Sequence, residues 1–376
     1  MIEFVEIRSK ADRELIGIID GAKSVLWHSV YFGVGDFEIY AAATPTNIVL
    51  LQEGNYVTRQ DDLEVGIIES VVVENDAIDG MMITASGRFA KSILDRRHIY
   101  NLSGTVNRPT ILRGNVESAV RSVVANNAIL CTSDSRRNIP ILELGALSNI
   151  PAIIVDDQGR ATQKQVSYKN LLTYTDEVLE EYGIGAILTL DDASKKFQYS
   201  CYIGADRSVD NTDGNEPVIF SQEYDNLTSS VYSLETVEKK TSALIGGEGE
   251  GTARFYSVIS GTEEGLERRE TWVDASSISK TYTDSEDVEH EYTDAEYKEM
   301  IDALGKQTLA TLIKVETFEG SLNVTGGIWR FNVDYMLGDV VTVQDNAIGK
   351  YANVRITEVM EAQDENGYTV EFQYRT

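Results

Sequence analysis

Alternating apolar and polar positions recur along most of the chain and predict a mainly β protein. FEIYAA (Phe37–Ala42) and the C-terminal YTVEFQY alternate with the period of two that places apolar side chains on one face of a strand. Turn signals such as Glu53-Gly54-Asn55 and Asp79-Gly80 separate neighbouring runs of this kind. The pattern therefore predicts an α+β fold in which strands dominate.

Helical periodicity interrupts the strands in three places. Asn115 can cap a helix whose valines recur on one face. A second helix is predicted from about Tyr168 to Tyr182, before a glycine that suits a helix end. Thr293 and Glu296 form a capping box, in which each side chain accepts a hydrogen bond from a backbone N–H of the first turn. The third helix is therefore the most clearly marked in the sequence.

A short sequence pattern typical of paired β-strands, here called the module, occurs twice, once near each end of the chain. GNYVTRQD (Gly54–Asp61) and GDVVTVQD (Gly338–Asp345) share Gly-x-x-Val-Thr-x-Gln-Asp without a gap. After about five extra residues in the second copy, Ile67 falls opposite Ile356, and each copy then closes on a glycine turn and a further strand. Chance likeness is the alternative, since strands and turns favour glycine, valine and threonine anyway. Self-similarity in fixed order favours two related β-barrels in one subunit.

These patterns predict four regions. They are an N-terminal β-barrel domain (1–95), an α/β insert domain (96–183), a discontinuous second β-barrel domain (184–260 plus 313–376) and an acidic helical segment (261–312).

The net charge of the chain limits the classes of partner that it can bind. Its 376 residues carry a net charge of −28 and have a pI near 4.4, which opposes binding to nucleic-acid phosphates or anionic lipid. The N-terminus lacks the apolar run of a signal peptide, and no stretch approaches the length of a membrane span. Cys131 and Cys201 lie in apolar runs and read as buried thiols, as in a reducing cytoplasm.

One segment reverses this charge. Between Arg88 and Arg137 nine Lys or Arg residues face three acids, whereas residues 201–300 hold 23 acids and eight bases. We therefore expect a basic inter-subunit contact, with an acidic surface of a neighbouring subunit as its partner. Its candidate residues are Arg96, Arg97, Arg136 and Arg137. An ordinary solvated face is the alternative.

Each catalytic or ligand-binding pattern fails on a specific residue. The loop Gly246–Gly251 has the glycines of a phosphate cradle, but its two glutamates would repel phosphate. Asp210–Glu216 resembles a calcium loop in which Phe220 replaces the bidentate glutamate. His290-Glu291 starts a zinc motif that lacks its second histidine. A glycosidase pair stays open, because two carboxylates suffice. No catalytic residue, metal or cofactor is expected.

Four stretches resemble the tail-tip (baseplate) hub proteins of siphophages, in the short form that lacks a tail-associated lysin extension. The likeness spans about residues 87–374 and is one of pattern. Its stretches are GRFAKSILDRRHIY (Gly87–Tyr100), NVESAVRSVVANN…RRNIPILELG (Asn115–Gly145), VIFSQEYDNLTSSVYS…GGEGEGTARFYSV (Val218–Val258) and YMLGDVVTV…VRITEV (Tyr335–Val359).

The resemblance implies a structural, non-enzymatic hub. It implies a homotrimer whose two barrels per subunit alternate around a pseudo-hexameric ring that closes the tail tube. It further implies contacts with the distal tail protein ring, the tape-measure protein C-terminus and receptor-binding or fibre proteins. The location implied is the virion tail tip, assembled in the host bacterial cytoplasm. Because the sequence ends after its last strand, wall cleavage is not expected.

Two other functions stay open. Nineteen tyrosines, three tryptophans and many acids suit a carbohydrate-binding or wall-cleaving tail protein. A small-molecule enzyme of the cytoplasm is the third reading, and no motif supports it.

Overall fold

A computed structural model describes residues 2–76, 80–103, 106–156, 159–283, 288–322 and 328–374. The strands of the first third are β1 (Val5–Arg8), β2 (Leu15–Ile19), β3 (Ala22–Val30), β4 (Asp36–Ala42), β5 (Tyr56–Thr58), β6 (Val65–Ile67), β7 (Ser70–Asp76), β8 (Gly80–Arg88), β9 (Leu102–Ser103), β10 (Val106–Asn107) and β11 (Thr110–Arg113).

The later strands complete the inventory. They are β12 (Leu142–Leu144), β13 (Gln163–Val166), β14 (Gly185–Asp191), β15 (Lys196–Tyr202), β16 (Asp206–Arg207), β17 (Ile219–Ser221), β18 (Leu227–Glu235), β19 (Ser242–Gly246), β20 (Tyr256–Ser260), β21 (Glu270–Asp274), β22 (Thr281–Thr283), β23 (Glu289–Glu291), β24 (Val315–Leu322), β25 (Val340–Asp345), β26 (Lys350–Arg355), β27 (Glu358–Asp364) and β28 (Gly367–Tyr374).

The helices are fewer than the strands. The α-helices are α1 (Pro45–Leu50), α2 (Val116–Val124), α3 (Leu171–Glu181) and α4 (Asp294–Thr311), and a π turn (Ala125–Ile129) extends α2. The 3₁₀ helices are Ala90–Arg96, Ser135–Arg137, Gln222–Tyr224, Gly251–Ala253 and Gly265–Glu267.

The chain divides into two compact units. Unit 1 comprises Met1–Val231 and Phe318–Thr376, and unit 2 is the intervening Tyr232–Thr317. In unit 2, the three-stranded sheet β20-β19-β21 packs one face on α4, with Tyr297 and Ile301 fully buried. The predicted capping box is present, since Thr293 and Glu296 bond each other's backbone N–H.

The largest sheet has eight strands in the order β18-β24-β28-β27-β3-β4-β8-β7, and the boundaries of unit 1 at Val231 and Phe318 fall within β18 and β24. It consists of two similar runs of four strands laid side by side. The first half-sheet is β3-β4-β8-β7, and the second half-sheet is β18-β24-β28-β27. β3 and β4 are joined by the short turn Tyr31–Gly35, whereas the chain that joins β18 to β24 belongs to unit 2.

The two copies of the sequence module have matching backbones. Gly54 N–H donates to Ile68 O and Ile68 N–H to Asn55 O, and the same two bonds join Gly338 to Ile356 and Ile356 to Asp339, all at 2.8–2.9 Å. Both glycines have positive φ, 86° and 92°. The duplication is therefore present in the structure, at the level of individual hydrogen bonds.

The structure corrects the register between the copies by one residue. Ile68, rather than Ile67, is the counterpart of Ile356, because it makes the same bonds to the glycine turn. The second copy accordingly holds four extra residues, which extend the hairpin of β25 and β26. β7 and β27 then correspond residue by residue, from Ser70 and Glu358 onward. Within the first hairpin's turn, Asp79 lies outside the described residues.

The segment between the two copies supplies a separate core. Residues of α2, α3, β14 and β15 pack with the 3₁₀ helix Ala90–Arg96 in one buried cluster that also reaches Tyr56 and Ile67 of the first copy. Asn115 and Asn170 cap α2 and α3 by accepting bonds from backbone N–H groups. Packing against this cluster positions the 3₁₀ helix beside the first copy.

The prediction of a mainly β fold with helical inserts is confirmed. Hydrogen bonding closes none of the sheets formed by the described residues, so the sheets are open and the largest combines strands from both ends of the chain. The four predicted domain boundaries stay predictions.

Candidate assembly surface

The junction between the two half-sheets is an antiparallel ladder from Glu358↔Val30 to Gln363↔Val25. Because β27 meets β3, opposite edges of two similar half-sheets pair with each other. Trp27 on β3 and Val359 on β27 are fully buried in this arrangement. The chain thus contains one complete example of head-to-tail half-sheet pairing.

A buried ion pair lies at this junction. Both Nη atoms of Arg59 donate to the Glu361 carboxylate at 2.8 and 3.1 Å, and Arg59 also donates two bonds to Asp61. The Arg59 and Glu361 side chains are 1% and 3% exposed. Burial opposes the charge of Arg59, but the hydrogen bonds from it to Asp61 and Glu361 outweigh burial and raise its pKa. Tyr368 O–H donates to Glu361 and completes the set.

Two further carboxyls nearby are poorly solvated. Asp62 accepts a bond from Trp27 Nε1 at 3.1 Å, and burial raises the pKa of Asp62 to about 6. Burial, followed by the charge of Asp62, raises the pKa of Glu64 to about 8. One Glu64 oxygen is buried and accepts no hydrogen bond from any residue that the structure describes. These carboxyls are therefore protonated at higher pH than free ones.

The outer edges of the large sheet are unpaired. Among the described residues, β7 pairs only with β8 and β18 only with β24. Val71, Val72 and Val73 on β7 are 37%, 51% and 46% exposed. Their counterparts on the covered strand β27 are Val359, Met360 and Glu361, which are 0%, 43% and 2% exposed. Val71 and Val73 thus correspond to buried positions of the covered strand, whereas Val72 corresponds to an exposed one.

The structure separates the four predicted arginines of the basic segment. Arg137 is buried, donates to Asn127 and stacks 3.7 Å above the Tyr100 ring. Arg97 Nε donates to the Arg137 carbonyl at 2.6 Å. Arg136 is exposed and pairs with Asp134 at 2.8 Å, and that bond lowers the pKa of Asp134 to about 2.

Arg96 differs from the other three. Its side chain is exposed and makes no hydrogen bond or ion pair with any residue that the structure describes. It stands at a cavity of about 600 Å³ that is also lined by Gly54, Ile68, Glu69 and Ile139. Of the four arginines, Arg96 is therefore the one whose guanidinium is available to a partner.

Sequence reasoning missed the pair Arg59–Glu361. A signal was present, because aligned positions of the two copies differ in charge. Arg59 corresponds to Val343 in the second copy, and Glu361 corresponds to Val73 in the first. A charge that replaces a strand valine in each copy indicates a partner elsewhere in the chain.

The other motifs considered in the sequence do not have the geometry of a binding site in the described residues. No group of three His, Cys, Asp or Glu residues in the described ranges could hold a metal ion. Asp210 of the calcium-like loop accepts a bond from Asn353, and His290 stacks on Tyr282. No helix in the described part of the chain is long and apolar enough to cross a membrane.

Comparison with known proteins identifies relatives across nearly the whole chain. The family of siphovirus ReqiPepy6 Gp37-like proteins matches residues 4–373. No curated protein matches the sequence significantly.

Solved structures of tail proteins share the fold. A tail protein from Neisseria meningitidis MC58 superposes with a TM-score of 0.52 at 14% identity, covering 99% of this chain and 96% of that one. The 43 kDa tail protein of prophage MuSo2 from Shewanella oneidensis gives 0.52 at 12% identity, covering 99% and 98%. Prophage tail protein gp18 from Listeria monocytogenes gives 0.51 at 12% identity, covering 100% and 94%. The predicted siphophage resemblance is confirmed: the chain belongs to the siphovirus Gp37-like family and has the fold of prophage tail proteins.

Proposed function

We propose that the protein is a structural hub of a phage or prophage tail tip, and that its subunits assemble into a trimeric ring. The observation that supports this most is the half-sheet junction. β27 of the second half-sheet pairs with β3 of the first, and the outer edges of the equivalent strands β7 and β18 pair with no further strand among the residues that the structure describes. The edge strands β7 and β18 of one subunit are thus equivalent to β27 and β3, which pair with each other within the subunit.

Head-to-tail contacts close into a ring when the rotation between units permits. Three subunits with two half-sheets each present six similar positions around an axis. Such a ring can meet a sixfold tail tube or distal tail protein ring, the tape-measure protein C-terminus inside and receptor-binding or fibre proteins outside. The site of action is then the virion tail tip, and the role is non-enzymatic.

The composition of β7 supports edge pairing. An exposed apolar edge strand promotes uncontrolled association unless a partner covers it. β7 carries three consecutive exposed valines, and its counterpart β27 is covered by β3 within the chain. The strand equivalent to β3 is β18, so a second copy of the protein supplies the matching partner.

The test compares two neighbouring lysine substitutions on β7. Val73→Lys places a charge where Glu361 is buried in the second copy, so we expect the trimer to dissociate on the order of tenfold more readily. Val72→Lys is the matched control, since its counterpart Met360 stays 43% exposed beside a paired strand. Analytical ultracentrifugation measures the mass. A parent that remains monomeric at all concentrations, or equal effects of the two variants, would contradict the proposal.

A carbohydrate-binding role is a second candidate, favoured by one observation in unit 2. Tyr256 and Trp272 are about half exposed on the sheet face opposite α4, with ring centroids 6.4 Å apart. Exposed aromatic faces of this kind can pack against the apolar face of a sugar. Retention on host wall polysaccharide that Trp272→Ala abolishes would support this role, and an absence of retention by the parent would remove it.

A further inference from the structure

The cavity beside Arg96 has a filled counterpart in the second copy. Gly54, Ile67, Ile68 and Glu69 line the cavity. By the register of the two copies, they correspond to Gly338, Arg355, Ile356 and Thr357. Of those second-copy residues, Gly338 packs on the Tyr31 ring, Arg355 lies over the ring and Thr357 accepts a hydrogen bond from the Tyr31 N–H. The turn that borders a cavity in the first copy is therefore packed against a tyrosine in the second.

Tyr31 is the first residue after β3, and it fills its slot closely. Its N–H donates to the Thr357 carbonyl at 2.7 Å, which continues the β3–β27 ladder by one residue. Its ring packs directly on the Gly338 backbone, where an added Cβ would lie 2.3 Å from a ring atom. Its hydroxyl lies 3.1 Å from the Gly183 carbonyl, and the residue is 1% exposed. The chain that leaves β3 thus anchors the internal junction.

In a ring, the strand that pairs with β7 is β18 of the next subunit, by analogy with β3 on β27. β3 runs antiparallel to β27 and ends opposite Glu358, so β18 would end opposite Ser70, the counterpart of Glu358. The next residue inward along the first copy is Glu69, at the cavity. Thr236, the first residue after β18, would therefore take the place that Tyr31 has in the internal junction, and Val237 would lie next to it.

The segment that leaves β18 has suitable chemistry. Leu234 and Val237 are 51% and 80% exposed, which leaves their apolar side chains available to a neighbouring subunit. Glu235 lies between them and is also exposed. The cavity offers apolar walls, including Ile139, and the unpaired guanidinium of Arg96 at its edge.

We infer that the cavity is a socket for a second copy of this chain, filled by Val237 with Glu235 facing Arg96. The inference rests on the proposed ring and adds its locking contact. It also assigns the partner of the basic segment. Arg96 faces an acidic segment, whereas Arg97, Arg136 and Arg137 bond within their own subunit.

Chemical cross-linking tests the contact directly in the full chain. Val237→Cys combined with Ile139→Cys should give a covalent inter-subunit product with a short bis-maleimide reagent. Ile153→Cys, an exposed position in the same α/β region that does not line the cavity, replaces Ile139→Cys in the control pair. The native Cys131 and Cys201 are buried, so the parent protein should give little background. A yield with Ile139→Cys no greater than with Ile153→Cys overturns the inference.

Exchanging the charges of Arg96 and Glu235 tests the same contact independently. Arg96→Glu should weaken trimer formation several-fold, and Glu235→Arg should restore it in the double variant. Arg136→Glu is the control, because Arg136 is paired with Asp134 in its own subunit. Equal effects of Arg96→Glu and Arg136→Glu, or no rescue, also overturn the inference. If the parent forms a trimer while both arms fail, only the socket is wrong; if no trimer forms, the ring and the socket fall together.

Discussion

The two copies of the module share a backbone and differ in what covers them. Gly54 and Gly338 make the same hydrogen bonds at similar positive φ. The strand that follows is covered by β3 in the second copy and is an open edge in the first. Side chains have diverged accordingly, with a buried Glu361 where the first copy has an exposed Val73. The comparison teaches that the repeated part specifies the framework and that the residues facing each neighbour specify the interface.

The largest expected effect comes from replacing one residue of the second copy with the residue at the corresponding position of the first copy. Glu361→Val copies Val73 and leaves Arg59 buried beside Asp61 alone, so we expect a loss of about 3–5 kcal/mol in the free energy of unfolding. Urea unfolding measures it. The double variant Arg59→Val with Glu361→Val should lose less than the sum of the single losses. An additive double variant would show that the pair is not coupled.

The control for that loss is an exposed ion pair. Arg160→Met removes a partner of Asp156 on the surface, where the Arg160 side chain is 71% exposed. We expect a change within about 1 kcal/mol. A cost as large as that of Glu361→Val would mean that burial is not the cause.

The second test compares the two turn glycines. Alanine at either position meets a positive φ and should cost about 1–2 kcal/mol. At Gly338 its Cβ would also lie 2.3 Å from the Tyr31 ring, which adds about 1–3 kcal/mol of overpacking. At Gly54 the nearest atom is the flexible Lys10 side chain, at 3.0 Å. Thermal unfolding should therefore rank Gly338→Ala below Gly54→Ala, and the reverse order would show that Tyr31 does not fill the slot.

The smallest test uses pH at the carboxyls beside the junction. The pKa of Glu64 is raised to about 8, so the folded state holds its proton while the unfolded state releases it above about 4.5. This contribution to stability is complete below pH 4 and is lost as pH rises towards 8. Glu64→Gln should match the parent at pH 4 and become progressively more stable than the parent as pH rises to 8. A constant difference across this range, measured by urea unfolding, would contradict the assignment.

Much of the framework could be predicted from the sequence. The alternation in FEIYAA and the repeated Gly-x-x-Val-Thr-x-Gln-Asp indicate strands and duplication, because both depend on local spacing. The capping box at Thr293 was predicted for the same reason. The register error of one residue arose in the hairpin, because Ile67 and Glu69 have the same spacing as Ile356 and Glu358, whereas the hydrogen bonds place Ile68 opposite Ile356.

The contacts that join distant residues could not be predicted in this way. Arg59 and Glu361 are 302 residues apart, and no local pattern indicates that they pair. Counting bases found the basic segment, but the count could not show that Arg97 and Arg137 are engaged in their own subunit. Which charges remain available depends on the folded chain. The sequence therefore indicated the region of the assembly surface, and the structure distinguished its residues.

The hairpin turn occupied by unit 2 has a consequence for how such proteins diversify. Tyr31–Gly35 joins β3 to β4 directly, and a whole folded unit stands at the matching place between β18 and β24. The ends of paired strands stay close together whatever joins them, so such turns accept insertions at little cost. One lineage can thus exchange the inserted unit for another by recombination at a single site, while the strands on either side keep their pairing.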